Sequence, residues 1–163
     1  MKKIKLINLE NVSDAEVKKY KIRKTTRAVA VDENGLVALL RAKKNYYSLP
    51  GGGIKKWETA KNAMKRECLE EIGCRVKILK KLGIVTENRK KLNMVQKSYC
   101  YIAKVKGEKG TPALEAHEID ECAEIVWTTI DDAIRKIEEG RSENPYITER
   151  NIFLLNLTAN YLK

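Results

Sequence analysis

The stretch Thr59 to Ile72 holds the residues whose types and spacing most plainly could do chemistry. On a helix at about 100° per residue, with Glu67 at zero, Glu71 falls about 40° to one side and Glu70 about 60° to the other. Ala60, Ala63 and Met64 fall at roughly +20°, −40° and +60°, with Cys68 and Ile72 continuing to about +100° and +140°. Glu67 and Glu71 therefore point into the arc of small and apolar residues, where an ordinary amphipathic helix carries no acids. Three carboxylates at i, i+3 and i+4 repel one another, and partial burial makes each ionised form costlier. They can be protonated, paired with a protein cation, or used to hold metal ions; hard divalent cations such as Mg²⁺ take such oxygen ligands. Arg66, beside Glu67, can in addition fix a carboxylate through a forked hydrogen-bonded pair. Just upstream, Gly51-Gly52-Gly53 allows close backbone approach to a ligand, and amides of such a loop and of a helix N-terminus attract phosphate oxygens.

The elements that must position this unit can be read from the chain around it. The predicted helix runs from about Thr59, its N-cap, to Ile72, with Gly73 just past its end. A short strand is expected at Ile4 to Asn8. Arg27 to Val31 and Leu36 to Arg41 read as paired strands around Asp32-Glu33-Asn34-Gly35, since Asn-Gly between β-prone runs signals a hairpin. Pro50 and the three glycines break any regular element. Arg75 to Ile84, Val95 to Val105 and Ile125 to Trp127 read as further strands, separated by loops at Gly107 to Pro112 and in the acidic stretch Glu115 to Glu124. A helix opens at Asp131-Asp132 and runs to about Glu139, with its acids at the positive end of the dipole. Arg141 to Pro145 reads as a break. The last helix, Thr148 to Leu162, places Ile152, Leu155, Ala159 and Leu162 on one face. Interleaved strands and helices in one chain predict an α/β (α+β) fold: a single domain with a mixed sheet covered by helices.

Length and composition agree with one domain. The 163 residues carry 33 Lys plus Arg against 22 Asp plus Glu, a net charge of +11. At 43% hydrophobic and 34% charged, the chain is neither disordered nor membrane-like. Its longest apolar runs, Val37 to Leu40 and Ile152 to Leu155, fall far below a membrane span of about 18 residues. The first residues have no apolar h-region, so a cytoplasmic protein with no membrane association is expected. Cys68, Cys74, Cys100 and Cys122 form no CxxC pair, and His117 stands alone, so zinc and disulfides give way to thiols used as small hydrophobes. The positive charge suggests acidic partners. Its clusters at Lys18-Lys19, Lys43-Lys44, Lys55-Lys56 and Arg89-Lys90-Lys91 are scattered, and read as solvated faces.

Read from Gly52, the segment runs Gly, five residues, Glu58, seven residues, then Arg66-Glu67-Cys68-Leu69-Glu70-Glu71-Ile72-Gly73-Cys74. This resembles the Nudix box, G-x5-E-x7-R-E-U-x-E-E-x-G-U, with U a bulky aliphatic residue. Tyr47-x-Leu49-Pro50-Gly51-Gly52-Gly53 looks like its usual lead-in, and Ile125-Val126-Trp127 with the acidic helix start resembles the closing elements of many Nudix proteins. The likeness covers roughly Thr25 to Glu138. It implies an α/β/α sandwich with the Nudix domain at 25–139 and its box at 52–74, flanked by an N-terminal extension at 1–24 and a packed C-terminal helix at 140–163. Two departures stand out: both U positions are cysteines, 68 and 74, and Trp57 precedes Glu58 where glycine is common. Trp57 reads as a loop anchor packed on the surface, with a ring beside the substrate as the alternative.

The resemblance implies hydrolysis of a nucleoside diphosphate linked to another moiety, with Mg²⁺ or Mn²⁺ required. By similarity Glu67, Glu70 and Glu71 hold the metal, Gly51 can add its carbonyl, and Arg66 and Glu58 orient the cluster. Glu67, Glu70, Arg66 and Glu118 are the expected catalytic residues. Glu118 is the general base favoured over Glu115 and Glu121, although Glu67 serves that role in some relatives. Gly51, Gly52, Gly53 and Arg27 are expected to bind substrate. Arg41 could also reach the pocket but reads as a surface charge, and Tyr47 reads as a core residue that could stack on a base. The expected substrate is a small nucleotide, such as an oxidised or non-standard nucleoside triphosphate or a nucleotide sugar. The alternatives are the 5′ end of RNA, which the charge favours, and a module that binds nucleotides without cleaving them, which the intact acids disfavour. A homodimer is compatible with the family.

Overall fold

The structure is a computed structural model that describes residues 1–114, 122–140 and 144–163. In chain order its elements are β1 (Lys3–Ile7), α1 (Asp14–Val17), β2 (Lys21–Val31), β3 (Val37–Ala42), β4 (Tyr47–Ser48), α2 (Ala60–Ile72), β5 (Arg75–Arg89), β6 (Met94–Lys106), β7 (Cys122–Thr128), α3 (Ile130–Glu139) and α4 (Pro145–Leu162). One mixed sheet runs β1-β5-β6-β2-β3-β4, with β7 also paired to β3. β1 lies parallel to β5 and β6 parallel to β2, while β5–β6, β2–β3 and β3–β7 are antiparallel. The sheet is mixed between helices, as the interleaved sequence pattern predicts.

Side chains alternate across a strand, so the sheet buries two separate layers. Val29, Val31, Leu39 and Ile102 face α3 and α4, meeting Ala133, Ile137, Leu154 and Leu155. Ala28, Ala30, Ala38 and Ala103 face the other way, onto Met64, Cys68 and Ile72 of α2. The small alanines let α2 come close to the sheet. Cys68, Cys74 and Cys100 are buried, and burial pushes their thiols up, that of Cys100 to about 12, so they pack as small apolar groups.

One topological detail creates the site. β2 and β3 pair only at Val31↔Val37, next to their connecting turn, and then part. The edge of β2 freed in this way is taken by the glycine segment. Ala28 donates to the Pro50 carbonyl (3.0 Å), Thr26 to that of Gly52 (2.9 Å), and Ile54 to that of Lys24 (3.1 Å). The three glycines are thus held as a pseudo-strand in a split of the sheet, directly ahead of α2.

Several boundaries differ from the sequence reading. β2 begins at Lys21 and β5 continues to Arg89, because β6 pairs along the whole length of each. Pro145, read as a break, occupies the first turn of α4 behind the N-cap Asn144, where its missing N–H costs nothing. The face buried by α4 also differs: it consists of Tyr146, Arg150, Asn151, Leu154, Leu155 and Thr158, whereas Leu162 is exposed. Arg150 sits inside because Glu87 of β5 offers it a buried carboxylate, and Tyr146 donates to the Asn88 carbonyl of the same strand. The capping box Ser13-x-x-Glu16 opens α1, an element absent from the sequence reading although its signature is present.

Candidate active site

Local chemistry fixes α2 at both ends. Thr59 accepts a hydrogen bond from the Asn62 amide (3.2 Å), a cap contributing about 1 kcal/mol. Gly73 closes the helix in the left-handed conformation (φ 65°), donating to the Leu69 carbonyl, while the Cys74 amide reaches back to Cys68 (3.2 Å). With Ala63, Met64, Cys68 and Ile72 seated on the sheet, the rotation of the helix is set. Glu67 and Glu71 are turned inward, 3% and 9% exposed, as the helical wheel requires.

What receives these acids is the glycine segment and Arg66. Arg66 spends all five of its N–H donors. Nε and Nη2 grip the two oxygens of Glu58 (2.9 and 3.0 Å), Nη1 bonds Glu67 (2.8 Å) and Glu70 (2.7 Å), and Nη2 also reaches the Gly53 carbonyl (3.0 Å). These bonds raise the Arg66 pKa, and the pair with Arg66 holds the Glu58 carboxyl below its usual range. Glu71 accepts from the Gly51 amide at 2.6 Å. The glycines are needed where the contacts are closest. A Cβ on Gly51 (φ 137°) would lie 2.2 Å from the Thr26 carbonyl oxygen, and one on Gly52 would lie 2.6 Å from a Glu67 oxygen. Gly53 faces open space.

Arg27 stands behind this loop on β2, half-buried, its Nη1 donating to the Thr26 carbonyl (2.7 Å) and its buried Nε without a partner among the described residues. Burial, with a smaller contribution from Arg150, pushes its guanidinium down to about 10, against the opposing pull of Glu71 and Glu87. It remains charged at neutral pH. A buried polar network that sequence reasoning missed is built from β5, β6 and α4. Fully buried Glu87 takes a hydrogen bond from Arg150 (2.7 Å) and others from Arg89 and Gln96, and Gln96 leads on to Ser98 and Thr25. The wheel test that flagged α2, applied to α4, finds Arg150 and Asn151 in line with Leu154, Leu155 and Thr158.

A family model for the NUDIX domain matches residues 21–150. The chain belongs to the Nudix family. It is thereby a hydrolase of phosphorus anhydrides within a family of pyrophosphohydrolases. No curated protein sequence matches it, but solved Nudix structures share its fold. A UDP-X diphosphatase superposes with a TM-score of 0.64 at 20% identity, over 94% of this chain and 74% of that one. A MutT NUDIX hydrolase from Burkholderia pseudomallei gives 0.58 at 21% identity, over 75% and 99%. An ADP-ribose pyrophosphatase from Streptococcus suis gives 0.51 at 20%, over 75% and 94%.

The structure brings Glu58, Arg66, Glu67, Glu70 and Glu71 of the Nudix box together with Gly51, Gly52 and Gly53, with Arg27 behind them. Glu118, like Glu115, Glu121 and His117, lies outside the described residues. Arg41 pairs with Glu124 (2.8 Å), and Tyr47 packs against the core. Trp57 differs from the expected loop anchor. It is 93% exposed, its backbone has a positive φ of 69°, and Lys56 lies over its ring. The turn closed by Glu58 and Lys55 imposes the left-handed backbone there and directs the indole into solvent.

Nudix hydrolases generally use divalent metal ions. The donor set here fits such ions in type and charge: Glu67, Glu70 and Glu71 supply three carboxylates, while Glu58 engages Arg66, and all the oxygens are hard donors. Among the described residues no three acidic, His or Cys side chains already converge as a cage. Arg66 pairs with Glu58, Glu67 and Glu70 as their shared counter-charge.

Proposed function

We propose that the protein hydrolyses a small nucleotide in which a nucleoside diphosphate is linked to another moiety, such as a modified or oxidised nucleoside triphosphate or a nucleotide sugar. The observation that carries this reading is the set Glu67, Glu70 and Glu71 beside the glycine segment, with Arg66 bonding Glu67, Glu70 and the Gly53 carbonyl and the Gly51 amide bonding Glu71. Mg²⁺ or Mn²⁺ bound by these carboxylates would neutralise diphosphate oxygens and ease water attack on phosphorus. Arg66, held by Glu58, keeps the carboxylates oriented. The Gly51 carbonyl is available as a further ligand, Gly51, Gly52 and Gly53 bind substrate in this reading, and a Cβ at Gly52 would displace the Glu67 carboxylate. Arg27, with an unspent donor and a charge retained at neutral pH, contacts a substrate phosphate. Glu118 is the proposed general base. The named activities of the UDP-X diphosphatase and ADP-ribose pyrophosphatase support a substrate of this type.

Phosphate release from a panel of nucleotides tests the reading. The panel holds nucleoside triphosphates, oxidised dGTP, ADP-ribose, sugar nucleotides, dinucleoside polyphosphates and triphosphorylated RNA, each with Mg²⁺, Mn²⁺ or chelator. Turnover of a small nucleotide that chelator abolishes is expected. Turnover of RNA alone would move the assignment to 5′-end processing, and nucleotide binding without any turnover would make the protein a binding module.

A further inference from the structure

The scattered lysine clusters visible in the sequence are not where the fold concentrates positive charge. A groove of about 360 Å³ between α2, β5 and the end of β6 is lined by Lys61, Lys65, Lys77, Lys81 and Lys106 over a floor of Val76 and Ile78. Lys5, Lys90 and Lys109, by contrast, pair with Glu149, Glu16 and Asp32. Among the described residues these five have no acidic partner, and no carboxylate lines the groove. Five ammonium groups around one concavity repel one another until an anion neutralises them.

We propose that this groove docks single-stranded RNA through its phosphodiester backbone. Lys61 and Lys65, one turn apart, stand about 6 Å from each other along the helix, and Lys77 and Lys81 are spread over about 13 Å of strand. Such a row suits a repeating anion better than one compact phosphate. The concavity is too small for a duplex, and its apolar floor accepts a sugar or base edge, as single-strand channels do. A flat anionic membrane would meet only the rim. The groove is distinct from the active site: Lys61 and Lys65 lie about 120° and 160° round α2 from Glu67, on the side away from Arg66 and Glu70. The choice of RNA over DNA rests on the Nudix reading of that site, because a 5′-triphosphorylated RNA end contains the same diphosphate linkage.

The test is anisotropy of a labelled 5′-hydroxyl RNA of about a dozen nucleotides, which has no diphosphate for the active site. Wild type is compared over a salt series with Lys65→Glu/Lys77→Glu/Lys81→Glu, with the same three changed to Gln, and with Lys2→Glu/Lys18→Glu/Lys19→Glu, which removes equal charge elsewhere. The expected wild-type log Kd rises with log salt with a slope of about 3, at about 0.7 per neutralised phosphate. The groove Glu variant is expected to lose at least about 100-fold in affinity, the Gln variant roughly 10-fold or more, and the remote variant less than about 3-fold. Small-nucleotide hydrolysis should be unchanged in all of them, which separates failure of the groove from failure of the site. Equal losses in groove and remote variants, equally tight DNA binding, or displacement of RNA by polyglutamate or anionic vesicles at matched charge would overturn the proposal.

Discussion

At the residue scale the site depends on one planar cation. Arg66 joins three carboxylates and a carbonyl with five donors, and an ammonium group has three and no fork. Arg66→Lys is therefore expected to lower kcat about 10- to 100-fold and weaken Mn²⁺ binding; unchanged steady-state kinetics would remove Arg66 from the positioning role. Glu58 gives a pH signature. Its folded pKa lies below the ordinary 4.5 because Arg66 bonds its carboxylate, so its stabilisation is complete above that value and is lost as pH falls through the lower folded pKa. Urea midpoints of wild type and Glu58→Gln should differ at pH 7 and converge below pH 4.5. Trp57 is the opposite case, a bulky residue in left-handed backbone with almost no packing, a conformation costing about 1–3 kcal/mol. Trp57→Gly should raise stability by about 1 kcal/mol once the entropy of glycine is subtracted, and a lowered midpoint would show that the indole has a structural partner. The inward acids were legible in the sequence because the wheel placed Glu67 and Glu71 among Ala63, Met64 and Cys68. The Trp57 conformation was not, because it is imposed by the Lys55–Glu58 turn and not by the preference of tryptophan.

At the scale of elements, the glycine segment works only against α2. Gly52→Ala would drive a methyl into the Glu67 carboxylate, which Arg66 restrains, so kcat should fall at least about tenfold, roughly 1.4 kcal/mol of barrier, with little change in melting temperature. Gly53→Ala, facing open space, should stay within about twofold of wild type; equal effects in the two variants would place the glycine requirement in the backbone alone. The helix limits were readable from Thr59 and Gly73, whose types carry the caps. The buried face of α4 was not, because apolar spacing through Ile152 and Leu155 hid the fact that Arg150 and Asn151 point inward. Only the partner strand, which brings Glu87, turns a buried arginine from a cost into a satisfied pair.

For the whole molecule, the split between β2 and β3 places the glycine segment, and no local pattern reveals it: the Asn-Gly turn announces a hairpin but not how soon its strands part. The mixed sheet and its two helical layers were legible because strand and helix periodicities alternate along the chain. The charge network across the sheet was hidden, since Glu87, Arg89, Gln96 and Arg150 come from three elements. Glu87→Gln would leave Arg89 and Arg150 buried without their counter-charge. A loss of about 3–5 kcal/mol is expected from denaturant unfolding; a loss under about 1 kcal/mol would mean that the arginines find water or another partner.

The most direct measurement of the central claim is metal-dependent hydrolysis of the preferred small nucleotide by wild type and Glu70→Gln, side by side, with Mn²⁺ affinity measured on the same samples. Glu70 is only partly buried, and the exchange preserves its shape, so the fold should survive. A fall in kcat of at least about 100-fold, roughly 2.7 kcal/mol of barrier, together with weaker Mn²⁺ binding, is the expected result. Turnover within a few-fold of wild type and unaltered Mn²⁺ affinity would contradict it, and would place the chemistry away from the acids of α2.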